Sequence, residues 1–140
     1  MKRALLAEYT VLHDPQLAPE GAAMLQVLRE SFARCGYEVV SPSGNGFEAE
    51  LERLAPACDL GLVIAPDHLI PRFTKIVEDH THNIGCGSTA AAVCANKRLT
   101  GRVLASHGIA VPEEVQTGMR VIKPVMGCGA EGVRLSTDPP

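Results

Sequence analysis

The segment Cys58-Asp59-Leu60-Gly61-Leu62-Val63-Ile64-Ala65 holds one acid near its start and is otherwise apolar or small, and Pro66-Asp67 stops it. A run of this length predicts a β-strand covered on both faces, as strands are in a parallel sheet. Working outward, residues 37–40 predict another strand, and residues 4–12 mix apolar and β-branched side chains and predict a first one, broken at His13-Asp14-Pro15. The stretches between them carry helical spacing. Met24, Leu25, Leu28 and Phe32 recur after Pro19-Glu20, which suit a helix start, and Gly36 suits its end. Pro42, Gly44 and Gly46 crowd a turn, and residues 47–54 place Phe47, Leu51 and Leu54 on one side of a short helix. Residues 69–78 predict a further helix through Ile70, Phe73, Ile76 and Val77, and residues 83–86 a short fourth strand. This alternation predicts an α/β fold with an open parallel sheet and right-handed crossovers. Such sheets hold ligands at the carboxyl ends of their strands, here residues 12–16, 41–46, 66–68 and 85–88.

The 140 residues give room for one core of ordinary size. Hydrophobic residues at 46% and charged residues at 21% argue against wholesale disorder. Aromatics at 4% and a net charge of -3 supply neither stacking platforms nor a basic face for nucleic acid. No apolar run approaches the roughly 20 residues of a membrane span. Lys2-Arg3 is followed soon by Glu8, His13 and Asp14, so the start lacks the apolar stretch of a signal peptide. Five cysteines, an odd number without a CxxC pair, fit a cytoplasmic protein better than a disulfide scaffold.

The remainder follows a different pattern. Residues 89–95 form a small-residue helix. Residues 96–107 form a second one, with Leu99, Val103 and Leu104 on one face, Asn96 as N-cap and Gly108 at its end. Residues 109–111 read as a brief extended piece, and residues 121–123 and 133–135 as strands around a glycine-rich loop. A domain boundary is expected at 95/96, giving units 1–95 and 96–140.

Three groups could carry chemistry. Val121-Ile122-Lys123-Pro124 ends a strand on a lysine, and Gly127, Gly129 and Gly132 follow at once. Glycines let backbone N–H groups approach an anion closely, and a lysine adds a point charge for phosphate. A hairpin that needs positive φ, with a solvated lysine beside it, explains the same residues. Neither a Walker A loop nor a Rossmann fingerprint is present: no GKS or GKT follows the glycines, and a strand stands where a helix should. Asn96-Lys97 opens a helix and could place Lys97 near an anion, or could be an ordinary solvated helix start. His80 and His82 lack a Cys or acid at zinc-like spacing, so a surface loop explains them. Cys86 and Cys128 sit in glycine-rich loops with no adjacent base, and a buried or incidental thiol is expected of each.

From Asn96-Lys97 and Thr100, through Gly108-Ile109-Ala110-Val111-Pro112 and Val121-Ile122-Lys123-Pro124, to Gly127-Cys128-Gly129-Ala130-Glu131-Gly132-Val133, the chain resembles the first part of an ATP-grasp domain. Residues 1–95 then match the preceding Rossmann-like pre-ATP-grasp domain. Within the superfamily, Glu8-Tyr9, Pro19-Glu20-Gly21, Gly36-Tyr37-Glu38-Val39 and Ile64-Ala65-Pro66-Asp67 are most similar to the archaeal tyramine–L-glutamate ligase group of methanofuran biosynthesis. The resemblance implies ATP-driven ligation through an acyl phosphate, which an amine then converts to an amide. It implies nucleotide binding by Lys97, Lys123, Gly127, Gly129, Glu131 and Gly132, with small carboxylate and amine substrates. Catalytic residues and metal ligands are not assigned within these residues. The magnesium ligands of the family belong to a later half, and the chain covers about half of such an enzyme. The remaining alternatives are a non-catalytic α/β module that binds a small molecule or nucleotide, and one subunit of a split enzyme. Unpaired strand edges at 121–135 lead to the expectation of a homodimer or a disordered C-terminal tail, and the split-enzyme alternative to that of a complementing C-terminal subunit.

Overall fold

A computed structural model describes residues 1–44, 46–127 and 129–137. Cys128 and the Asp138-Pro139-Pro140 ending lie outside the described residues. Strand β1 (Lys2–Glu8) runs through the middle of a four-stranded parallel sheet, between β2 (Tyr37–Val40) and β3 (Leu60–Ile64), with β4 (His82–Asn83) beyond β3. Leu6 pairs with Leu62 in the register of β1 and β3, and Ala4 with Val39 in that of β1 and β2. Ala4, Leu5, Leu6 and Ala7 are at most 2% exposed, because helices lie over both faces of β1.

Side chains alternate across a strand, so the two faces of β1 meet different helices. Leu5 and Ala7 join the core with α3 (Phe47–Leu54) and α4 (Ile70–His80), through Phe47, Leu51, Phe73 and Val77. Glu8 lies on the opposite face, under α2 (Ala18–Arg34), where Gly21 approaches its carboxylate. The predicted two-sided cover of β3 is only half realised. Gly61 and Val63 are buried on the α4 side, whereas Leu60, Leu62 and Ile64 are half-buried, since α2 lies over β1 and β2. Gly61 lets α4 come close: a Cβ there would stand 2.6 Å from Val77 Cγ1.

Three expectations need correction. The first strand ends at Glu8 and not at residue 12. The Glu8 carboxylate accepts from the Thr10 hydroxyl at 2.6 Å and from the Val11 N–H at 2.8 Å, and the chain turns into a short helix α1 (Thr10–His13). The fourth strand ends at Asn83 rather than running to residue 86. Asn83 Oδ1 accepts from the Gly85 N–H at 3.0 Å and its Nδ2 donates to the Cys86 carbonyl at 3.1 Å, folding the chain away from the ladder. Residues 109–111 form no strand. The Ile109 N–H returns to the Leu104 carbonyl at 3.0 Å past Gly108 at φ 73°, closing the helix end before them.

Two helices follow the sheet. The N-terminus of α5 (Ser88–Ala95) is held by Glu78 of α4, which accepts from the Ser88 N–H at 2.8 Å and also from its hydroxyl. Helix α6 (Lys97–Ser106) is capped by Asn96, whose Oδ1 accepts from the Leu99 N–H at 2.9 Å. The Thr100 hydroxyl ties α6 back to α5 through the Val93 carbonyl at 2.9 Å. Strands β5 (Arg120–Ile122) and β6 (Arg134–Ser136) form a separate antiparallel pair, each shifted by one residue from its expected position.

Candidate functional site

The glycine-rich segment meets the start of α6. The Lys97 backbone N–H donates to the Val125 carbonyl at 2.9 Å, and its ammonium Nζ donates to the Gly127 carbonyl at 2.8 Å. Residues thirty positions apart in sequence thus meet, one at the start of α6 and one in the glycine-rich loop. Gly127, Gly129 and Gly132 have φ of 130°, 64° and 70°, the left-handed region that glycine enters without strain. Ala130 shares it at φ 59°, within the turn that the Val133 N–H closes on the Ala130 carbonyl. At Gly132 a Cβ would also stand 2.9 Å from Pro124 Cγ, so the hairpin folds tightly on the residue that follows Lys123.

Of the six residues expected to bind nucleotide, Lys97 and Gly127 are in contact. Gly129 and Gly132 lie in the same hairpin, and Lys123 is exposed at the exit of β5 without an ion pair to a described residue. Glu131 is exposed in the turn and likewise makes no ion pair with a described residue. These residues fit a phosphate on chemical grounds: two ammonium groups, one held against the loop by a single hydrogen bond, beside glycines that leave the backbone open. For magnesium the fit is absent here, since no group of three His, Cys, Asp or Glu gathers among the described residues.

The cysteines and histidines differ in place. Cys86 is exposed, not buried. Burial pushes the Cys58 thiol up, and its Sγ donates to the Leu54 carbonyl at 3.3 Å, which leaves it a poor nucleophile. His80 and His82 are exposed.

At the carboxyl end of β1 the structure shows a feature that residue order did not. Tyr9 and His13, one helical turn apart, stack with ring centroids 4.5 Å apart, and Phe47 meets Tyr9 edge-on at 5.2 Å. Phe73 lies 4.9 Å from Phe47. These rings floor an open cavity of about 510 Å³ between the starts of α3 and α4, with Glu48, Glu52 and Arg72 at its edge. Arg72 holds Glu48 through Nε at 2.8 Å and through its second nitrogen at 2.6 Å. A second cavity of about 260 Å³ lies beside Glu8. Both cavities lie near carboxyl ends of strands of the sheet. The loop after β1 and the 41–46 turn contribute to them, while Pro66, Asp67 and His68 line neither.

No protein-family model and no curated protein matches this chain. Solved structures do. A protein assigned to the ATP-grasp superfamily from Archaeoglobus fulgidus matches with a TM-score of 0.80 and 24% identity, over 100% of this chain and 50% of its own. D-alanine–D-alanine ligase from Bacillus anthracis matches with a TM-score of 0.75 and 19% identity, over 99% of this chain and 50% of its own. The chain therefore has the α/β fold of about half of each structure, including the segment after the parallel sheet. No helix among the described residues is long and apolar enough to cross a membrane.

Proposed function

We propose that the chain is the front part of an ATP-dependent carboxylate–amine ligase of ATP-grasp type. Residues 1–95 are its pre-ATP-grasp domain and residues 96–140 the opening of its ATP-grasp domain. The observation that carries this reading is the contact of Lys97 with the Gly127 carbonyl, which joins a helix-borne ammonium to the glycine hairpin. Lys97 and Lys123 supply charge for nucleotide phosphates. Gly127, Gly129 and Gly132 supply close backbone approach, and Glu131 stands at the tip of the same turn. ATP supplies the phosphoryl group that activates a carboxylate toward an amine. The chain's own part is positioning, electrostatic stabilisation and exclusion of water. Magnesium ligands are assigned to a later half of the enzyme or to a complementing subunit, and the protein is placed in the cytoplasm. The narrower reading is a tyramine–L-glutamate ligase, supported by the resemblance around Glu8-Tyr9 and Gly36-Tyr37.

The test is phosphate release by the full-length protein with Mg-ATP, glutamate and tyramine, alongside titration with a fluorescent ATP analogue. Phosphate released in step with amide is the expected result. Lys123→Ala should weaken nucleotide binding about tenfold or more, as loss of a charged hydrogen bond does. Release with other amine and acid pairs but not this one removes only the narrower reading. Nucleotide binding that is unaltered by both Lys97→Ala and Lys123→Ala overturns the ligase reading.

A further inference from the structure

Helix α6 carries Lys97 at its start, yet no core fixes where that start lies, since α6 buries none of its residues. Among the described residues its one ion pair is Arg98 with Glu114 at 3.4 Å, exposed on both sides, and such pairs contribute little. The middle of the helix is Thr100-Gly101, a β-branched residue followed by glycine, both poorer helix formers than alanine. Local propensity therefore works against α6 where burial offers no compensation.

A tertiary contact accounts for the threonine. Its hydroxyl lies 2.9 Å from the Val93 carbonyl of α5 and 2.9 Å from the Asn96 carbonyl one turn before it. A hydroxyl has one hydrogen, so the bond is shared between two carbonyls on either side of the bend from α5 to α6. The Asn96 N–H closes the same bend on the Val93 carbonyl at 3.1 Å. Among the described residues, the Thr100 hydroxyl makes the one side-chain hydrogen bond from α6 to α5. Helix α5 is itself anchored, with Ala91 and Ala95 buried and its start held by Glu78. Thr100 passes that anchorage on to α6. It stands three residues after Lys97, on the same side of the helix, and Lys97 makes both contacts to the glycine-rich loop.

We propose that Thr100 is a positioning residue: by pinning α6 to the end of α5 it sets where the Lys97 ammonium stands. A lysine stem is flexible, so the place of its Cα decides what the ammonium reaches. The inference rests on the nucleotide-binding role proposed above for Lys97.

The experiment is a double-mutant cycle in the full-length protein, read by titration with the fluorescent ATP analogue. Thr100→Val keeps the shape and a similar helix propensity and removes the hydroxyl. It should weaken binding about threefold or more, the size of one lost hydrogen bond, whereas Thr100→Ser should stay within about twofold of the parent. In a Lys97→Ala background Thr100→Val should change nothing further, because its effect passes through the ammonium. Without nucleotide, hydrogen exchange at the Lys97 amide should accelerate in Thr100→Val as its bond to Val125 loosens. The Leu99 amide should keep the protection that Asn96 gives it. No loss in Thr100→Val, equal losses in both backgrounds, failure of Thr100→Ser to rescue, or joint acceleration at Lys97 and Leu99 overturns the inference. Unchanged binding in Lys97→Ala alone also overturns it, and leaves the ligase reading standing on Lys123. Unchanged binding in Lys97→Ala and Lys123→Ala alike overturns that reading as well.

Discussion

The sheet region and the segment after it treat their apolar residues in opposite ways. Every buried hydrophobic side chain among the described residues lies at or before Ala95, with Leu5, Leu6, Leu51 and Val77 sealed from solvent. Helix α6 buries none of its residues, and beyond it Ile109, Met119, Val121 and Leu135 stand more than half exposed. Chain entropy is offset by burial, so the parallel sheet meets the condition for stability with its own helices. The β5–β6 pair cannot do so: an isolated two-stranded pair is marginal in water, and of its apolar side chains Val121 and Leu135 are exposed and Ile122 only half-buried. The glycine-rich loop is tied to the start of α6 by one backbone bond, from the Lys97 N–H to the Val125 carbonyl, and by the Lys97 ammonium on the Gly127 carbonyl.

The largest expected effect tests that contrast directly. Leu51→Ala should cost about 2–5 kcal/mol, the range for emptying a sealed core site. Leu135→Ala, at a site 72% exposed, should change stability by less than about 0.5 kcal/mol. Urea midpoints of the two variants decide it, and equal losses would break the comparison. Alanine at two glycines should act with opposite signs. Gly61→Ala forces a Cβ to 2.6 Å from Val77 Cγ1 and should cost about 1–3 kcal/mol. Gly101→Ala, inside α6 with nothing within 4 Å, should stabilise by up to about 1 kcal/mol through helix propensity. A destabilised Gly101→Ala variant would show that α6 is packed after all.

The same contrast explains what could be read from residue order. The strand at residues 60–64 and helix α2 follow from local patterns, an apolar run and a Pro-to-Gly frame, and both stand close to where those patterns put them. The turn at Thr10 was missed because one side chain, Glu8, redirects the backbone, and in sequence it reads as a polar residue within a strand. The aromatic floor at Tyr9 and His13 depends on that same turn, since only a helical step stacks residues four apart. Phe47 and Phe73 were legible as apolar helix positions, but not as walls of a cavity, which requires the relative placement of α3 and α4. Lys97 and Gly127 meet across thirty residues, and no local pattern predicts that meeting; the family resemblance alone suggested a shared role.

A smaller effect belongs to the junction of the two regions. Asn96→Ala removes the acceptor for the Leu99 N–H and should cost about 0.5–2 kcal/mol of α6. Amide exchange in α6 should accelerate while β1 and β3 keep their protection. Acceleration in both regions at once would mean that they unfold as one unit.

The smallest effect is a pH dependence at the start of α5. The Ser88 hydroxyl, then its N–H, hold the Glu78 carboxyl below its ordinary range by bonding the charged form. A carboxyl with a lowered folded-state value stabilises the folded protein above its unfolded value and loses that contribution as pH falls through the folded one. The Ser88 amide signal should therefore titrate with a midpoint below that of an ordinary glutamate, and Glu78→Gln should remove the titration. Glu78 is exposed, so solvent screens the interaction and global stability should barely follow it. A midpoint at the ordinary value would show that the Glu78–Ser88 contact is not formed in solution, and the tie between α4 and α5 would then rest on packing alone.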